Sequence, residues 1–211
     1  MPDRPATAGH GASQALAAIH AAALEARGCR ACDLWKRATQ TVFGEAEAAE
    51  LPRVMLVGEQ PGDMEDRAGH PFVGPAGGVL DRGLEAAGID RRKAYVTNAV
   101  KHFKWEQRGK RRLHKKPSSE EVRACRPWLD REIAILKPRL IVCLGATAAQ
   151  ALLGPAFRVT VSRGQVLEGL GTHLMATVHP SSILRAEPGD RDAQFEAFVA
   201  DLKKARTWLG A

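Results

Sequence analysis

Hydrophobic and polar positions along the chain alternate between two spacings, and the switches between them outline the elements. Residues 12–27 (ASQALAAIHAAALEAR) carry Ala and Leu at helical spacing up to Gly28, which predicts a helix leading into Cys29. RVMLVGE (53–59) is a short apolar, β-branched run that predicts a strand, followed by a Gly/Pro loop and a helix over 76–88. AYVTNAV (94–100) predicts a second strand. After a basic segment, Pro117-Ser118-Ser119-Glu120-Glu121 opens a helix with a capping box from Ser118 to Glu121. RLIVCLG (139–145) and HLMATVHP (173–180) predict two more strands, ATAAQALLG (146–154) the helix between them, and QFEAFVADLKKARTWL (194–209) a final amphipathic helix.

Strands alternating with helices predict an α/β fold: three layers, α/β/α, around a central, mostly parallel four-stranded sheet. One domain spanning residues 1–211 is expected, with residues 1–11 flexible. Ligands of such sheets bind beyond the carboxyl ends of the strands. The loops after residues 58, 98, 144 and 178 are therefore where chemistry is sought.

With 45% hydrophobic and 26% charged residues the composition is that of a soluble globular protein. Apolar runs such as 133–136 and 140–144 are too short to span a membrane, and residues 1–11 lack the regions of a signal peptide. A cytoplasmic monomer without membrane contact is expected. The charge is more telling than the composition. Residues 101–116 (KHFKWEQRGKRRLHKK) hold eight Lys/Arg and one Glu, while the remainder holds 23 basic and 23 acidic residues. The whole net charge of +7 thus sits in one segment, which suits a phosphate backbone. A solvated basic loop is the plainer account of such a run.

Four cysteines, Cys29, Cys32, Cys125 and Cys143, admit three readings: two disulfides, a structural zinc or an iron-sulfur cluster. Cys143, inside LIVCLG, also reads as a buried small apolar residue. The first loop, Gly58-Glu59-Gln60-Pro61-Gly62-Asp63 through Pro71-Phe72-Val73-Gly74-Pro75, forces tight turns that let main-chain amides approach a ligand. It lacks both the Walker lysine pattern and the dinucleotide glycine spacing. Asn98 at a strand end and His179-Pro180-Ser181-Ser182 after another are each unspecific alone.

In combination, GEQPG, the strand-end Asn, HPS and four cysteines resemble the uracil-DNA glycosylase superfamily, particularly its iron-sulfur-containing family 4, over nearly all of residues 25–209. Lys110-Arg111-Arg112-Leu113-His114, with Gln60, resembles the UdgX branch, which typically has Ile where this chain has Leu113. The resemblance implies a uracil-DNA glycosylase-like fold and a 4Fe-4S cluster held by Cys29, Cys32, Cys125 and Cys143. It implies a uracil pocket with Phe72 stacking on the base, Asn98 on its Watson-Crick edge, His179 near its O2, and Gln60 in the same motif. It further implies excision of uracil from DNA, single-stranded by preference, with free uracil released. Asp63 would orient a water, Glu59 would assist His114, and His114 would join covalently to C1′ of the abasic site. Lys110, Arg111, Arg112 and Ser181 would contact DNA. An ordinary turnover glycosylase and a non-enzymatic iron-sulfur module that binds nucleic acid are the alternatives.

Overall fold

The computed structural model describes residues 7–47 and 50–210. In chain order the elements are α1 (Thr7–Ala26), β1 (Val54–Gly58), α2 (Asp63–Ala68), α3 (Pro75–Ala87), β2 (Ala94–Asn98), β3 (Trp105–Arg108), β4 (Arg111–His114), α4 (Ser119–Leu136), β5 (Leu140–Leu144), α5 (Ala146–Leu153), α6 (Val159–Ser162), β6 (Val166–Gly169), β7 (Thr172–Thr177), α7 (Pro180–Leu184) and α8 (Arg191–Leu209). The first helix begins five residues earlier than its apolar spacing predicts, so residues 7–11 are helical; residues 1–6 of the segment expected to be flexible lie outside the described residues. Among the described residues no helix is long and apolar enough to cross a membrane.

The central sheet runs in the order β2-β1-β5-β7-β6. The first four strands are parallel, and β6 adds antiparallel to the edge of β7. The fold class is the expected α/β with a mostly parallel sheet, but the sheet has five strands rather than four. The extra strand escapes sequence reading because its hairpin turn, Leu170-Gly171, holds both residues at positive φ (53° and 71°) without the Asn or Asp that normally marks such a turn.

Side chains of the inner strands alternate between two cores. Met55, Val57, Tyr95, Ile141 and Cys143 face α1, α4 and α5, whereas Leu56, Val96, Leu140, Val142 and Leu144 face α3 and α8. Burial on both faces explains why these strands read as continuous apolar runs. At about 25 cal/mol per Å² of apolar surface, these two layers are the main favourable contribution to stability.

The basic segment is not a loop. Its residues 105–114 form a separate antiparallel hairpin, β3–β4, with register Trp105↔His114 and Arg108↔Arg111. Gly109 takes the first turn position at φ 58°, the glycine-first arrangement of a two-residue hairpin turn. Charges on both faces gave no alternation to recognise, and the hairpin is held by contacts from elsewhere in the chain.

Candidate active site

The carboxyl ends of β1 and β2 pair Gly58 with Asn98, and on this floor the first site residues meet. A Cβ on Gly58 would lie 2.4 Å from Asn98 Oδ1 and 2.6 Å from Phe72 Cζ, so glycine is what allows both side chains to close over the strand end. Phe72 is buried with φ 57°, a conformation that is costly for a bulky residue and that functional loops retain. The loop carrying it is closed by Glu65, whose carboxylate accepts from the amides of Gly62 (3.0 Å) and Gly74 (2.8 Å). Opposite, His179 stacks toward Phe72 with ring centroids 5.9 Å apart and planes 28° from parallel. Gly145, at φ 92°, leaves the room that His179 Cβ needs, 2.9 Å from where its own Cβ would be.

The protonation of His179 follows from its contacts. Nδ1 accepts from the Ser181 amide (3.1 Å) and lies 2.8 Å from the Ser181 hydroxyl. Burial pushes its pKa down to about 4, and the positive charges of Arg185 and His114 add to the fall. The ring is neutral at pH 7 with its proton on Nε2, a donor. Ser181, expected on DNA, has its hydroxyl engaged by His179 and by Arg185 Nη1 (3.0 Å) instead.

His114 ends β4 with Nε2 3.5 Å from Glu59 Oε1. The hydroxyl of Thr147, at the start of α5, donates to the other carboxylate oxygen of Glu59 and sets its orientation. Thr147 went unnoticed in the sequence, where nothing near it signals a contact with residue 59. Burial lowers the pKa of His114, Glu59 partly restores it, and Arg185 lowers it further. Glu59 directly follows Gly58, which pairs with Asn98, so the hairpin end lies beside the Phe72–Asn98–His179 floor.

Three expected site residues hold the hairpin rather than face a ligand. Gln60 donates through Nε2 to the carbonyls of Lys104 (3.1 Å) and Lys115 (3.0 Å) and accepts through Oε1 from the Lys104 amide (3.1 Å). Both protons of its side-chain amide clamp the hairpin stems, leaving no donor there for uracil. Arg112, expected on DNA, is 12% exposed and bonds Asp63, Asp66 (2.7 Å) and Thr39 (3.1 Å). Asp63, expected to orient a water, has both oxygens taken, by Arg112 and by Arg67 (3.0 Å). Burial raises its pKa, but the two guanidinium partners prevail and leave it lowered. Lys110 and Arg111 project into solvent and form no ion pair among the described residues.

The four cysteines do not converge. Cys32 packs with Cys125, and Cys29 and Cys32 both lie close enough to disfavour the Cys125 thiolate. Trp128 Nε1 donates to Cys29 Sγ (3.2 Å) and the Lys101 amide to Cys125 Sγ (3.2 Å). Cys143 sits apart. It is fully buried in β5 among Met55, Val57 and Ile141, and burial alone raises its thiol to about 12, with no contribution from another cysteine. The expected four-cysteine set is thereby reduced to three. Among the described residues no three His, Cys, Asp or Glu groups gather tightly enough for a single metal ion.

His102 follows Lys101, whose amide donates to Cys125 Sγ. The Thr41 hydroxyl donates to the Ala26 carbonyl (3.2 Å), so it accepts from His102 Nε2 (3.0 Å), which leaves the Nδ1 lone pair free. A histidine within a basic segment carried no ligand signal in the sequence.

The model of the uracil DNA glycosylase superfamily matches residues 46–203. The chain is 38% identical to a type-4 uracil-DNA glycosylase of Pyrobaculum aerophilum, over 75% of this chain and 81% of that one. It is 36% identical to type-4 uracil-DNA glycosylases of Thermotoga maritima, over 86% and 89% of the two chains, and of Archaeoglobus fulgidus, over 85% and 87%.

Proposed function

Because the chain belongs to the uracil DNA glycosylase superfamily, we propose that it excises uracil from DNA and then remains joined to the abasic sugar through His114. The observation that carries the second half is the approach of His114 to Glu59 at the edge of the Phe72–Asn98–His179 floor.

Uracil leaves the base stack and slides onto Phe72, with Asn98 reading its edge. His179, neutral and with Nε2–H as donor, meets O2, where negative charge grows as the glycosidic bond breaks. The Nε2–H keeps its proton and stabilises that charge by donating a hydrogen bond to it. The bond from C1′ to N1 opens and its electron pair leaves with uracil. His114 then attacks C1′ with one ring nitrogen while the proton on the other passes to Glu59, which Thr147 holds in place. The product is a C1′–imidazole bond and free uracil. This reading places the chain in the UdgX branch.

Lys110 and Arg111, exposed at the hairpin turn, meet flanking phosphates, and single-stranded DNA is the preferred substrate because no pairing has to be broken. The protein acts as a monomer. Cys29, Cys32 and Cys125 hold a 4Fe-4S cluster with His102 in place of Cys143. The cluster's contribution is structural: it ties the end of α1 to α4, and no redox step is required.

The test is incubation of purified protein with a uracil-containing single-stranded oligonucleotide and a matched thymine control, resolved on a denaturing gel. A uracil-dependent shifted band is expected. Free abasic product without the band would leave an ordinary turnover glycosylase, with His114 only a DNA contact. Binding without uracil release would leave a nucleic-acid-binding module.

A further inference from the structure

The chemistry above makes no use of Lys101 and Glu132, although they are the most deeply buried ion pair described. Lys101 is 1% exposed and Glu132 0%, with Nζ 2.6 Å from Oε2. Removing two ions from water is costly, and an apolar pair of similar volume is often as stable or more so. The pair's presence in the core is therefore not explained by stability.

Its contacts suggest another purpose. The three protons of the Lys101 ammonium meet Glu132 Oε2, Thr97 Oγ1 (2.7 Å) and the main-chain carbonyl of Asn98 (2.7 Å). Glu132 in turn accepts from the Gly44 amide (3.1 Å), Tyr95 Oη (2.9 Å) and Thr97 Oγ1 (2.9 Å), so the ammonium is held against a fixed acceptor. The amide of the same Lys101 donates to Cys125 Sγ (3.2 Å). One residue thus bridges a cysteine of the proposed cluster and the backbone of the residue at the pocket floor.

We propose that Lys101, fixed by Glu132, is a positioning residue for base selection: it pins the main chain of Asn98 and ties that pin to Cys125. The inference rests on the reading that Asn98 meets the uracil edge. Hydrogen bonds to a base edge weaken steeply with angle and distance, so a small drift of the Asn98 backbone acts on the chemical step more than on DNA affinity.

The experiment compares wild type with Lys101→Met and with Lys101→Met/Glu132→Gln, the second chosen because it leaves no unpaired charge in the core. Single-turnover uracil release from single-stranded DNA is measured against protein concentration, so that the rate constant, the half-saturating concentration and the active fraction are separate readouts. The expected result for the double variant is a rate constant lower by about tenfold or more, with half-saturation within about twofold of wild type. A purely structural pair would reduce the active fraction and leave the rate of the remaining active molecules unchanged, and that result would overturn the proposal. Wild type that releases no uracil would instead bring down the functional reading itself.

Discussion

Nε2 of His114, at the end of a charged hairpin, lies 3.5 Å from Oε1 of Glu59, at the end of a core strand. The approach is longer than a hydrogen bond, and the His114 side chain is 47% exposed, so the carboxylate is within reach of one ring nitrogen while the outer edge of the ring stays open.

His114→Ser removes the nucleophile and opens space for water. The shifted band should vanish while uracil release continues with turnover; a variant with neither adduct nor release would count against this account. Glu59→Gln should keep uracil-dependent binding but slow adduct formation by about 10² or more, the range typical of a lost general base.

Adduct formation depends on neutral imidazole. Burial holds the pKa of His114 below its ordinary 6.5, so the rate should rise with pH along a limb centred below 6.5 and be flat through pH 7 to 8. Glu59 opposes that lowering, so Glu59→Gln should move the limb further toward acid. A limb centred above 6.5 in single-turnover gels would contradict the geometry.

Arg112 neutralises Asp66, which is fully buried and also accepts from the Thr39 amide (2.9 Å). Arg112→Met should cost about 3 kcal/mol in chemical denaturation, because it strands a carboxylate. Arg112→Met/Asp66→Asn should recover much of that loss. Equal stability of the single variant and wild type would show that the hairpin is not locked there.

Cys143→Ala should retain the brown colour and broad visible absorbance of an intact cluster, at a stability cost of about 1 kcal/mol for the lost buried sulfur. Cys29→Ala, Cys32→Ala, Cys125→Ala and His102→Ala should each lower the iron content. A colourless wild type containing zinc would refute the cluster, and a colourless Cys143→Ala would restore that cysteine as a ligand.

Gly58→Ala places a methyl group against Asn98 and Phe72 at the distances given above. A destabilisation of about 1–3 kcal/mol and loss of uracil release are expected, read by denaturation and by the single-turnover assay.

The chain's local patterns determined the parallel strands, the helices between them and the loops at their carboxyl ends, because burial on both faces of a sheet writes itself into continuous apolar runs. Phe72, Asn98, His179, Glu59 and His114 stood out only through the resemblance to a known family, because each residue is unspecific when taken alone. Motif reading failed where a side chain's partner is distant in sequence. Gln60, Asp63 and Arg112 look like ligand residues in a list but are taken up in holding a hairpin whose charges carry no periodicity. Cys143 counts as a fourth cysteine until the fold buries it within β5, packed among core residues rather than with Cys32 and Cys125. The proton on His179 Nε2 is decided by the Ser181 amide, and the place of Asn98 by an ammonium buried beneath it. Periodicity is a property of neighbours along the chain, whereas protonation, ligand sets and locks depend on which groups the fold brings together and which it removes from water.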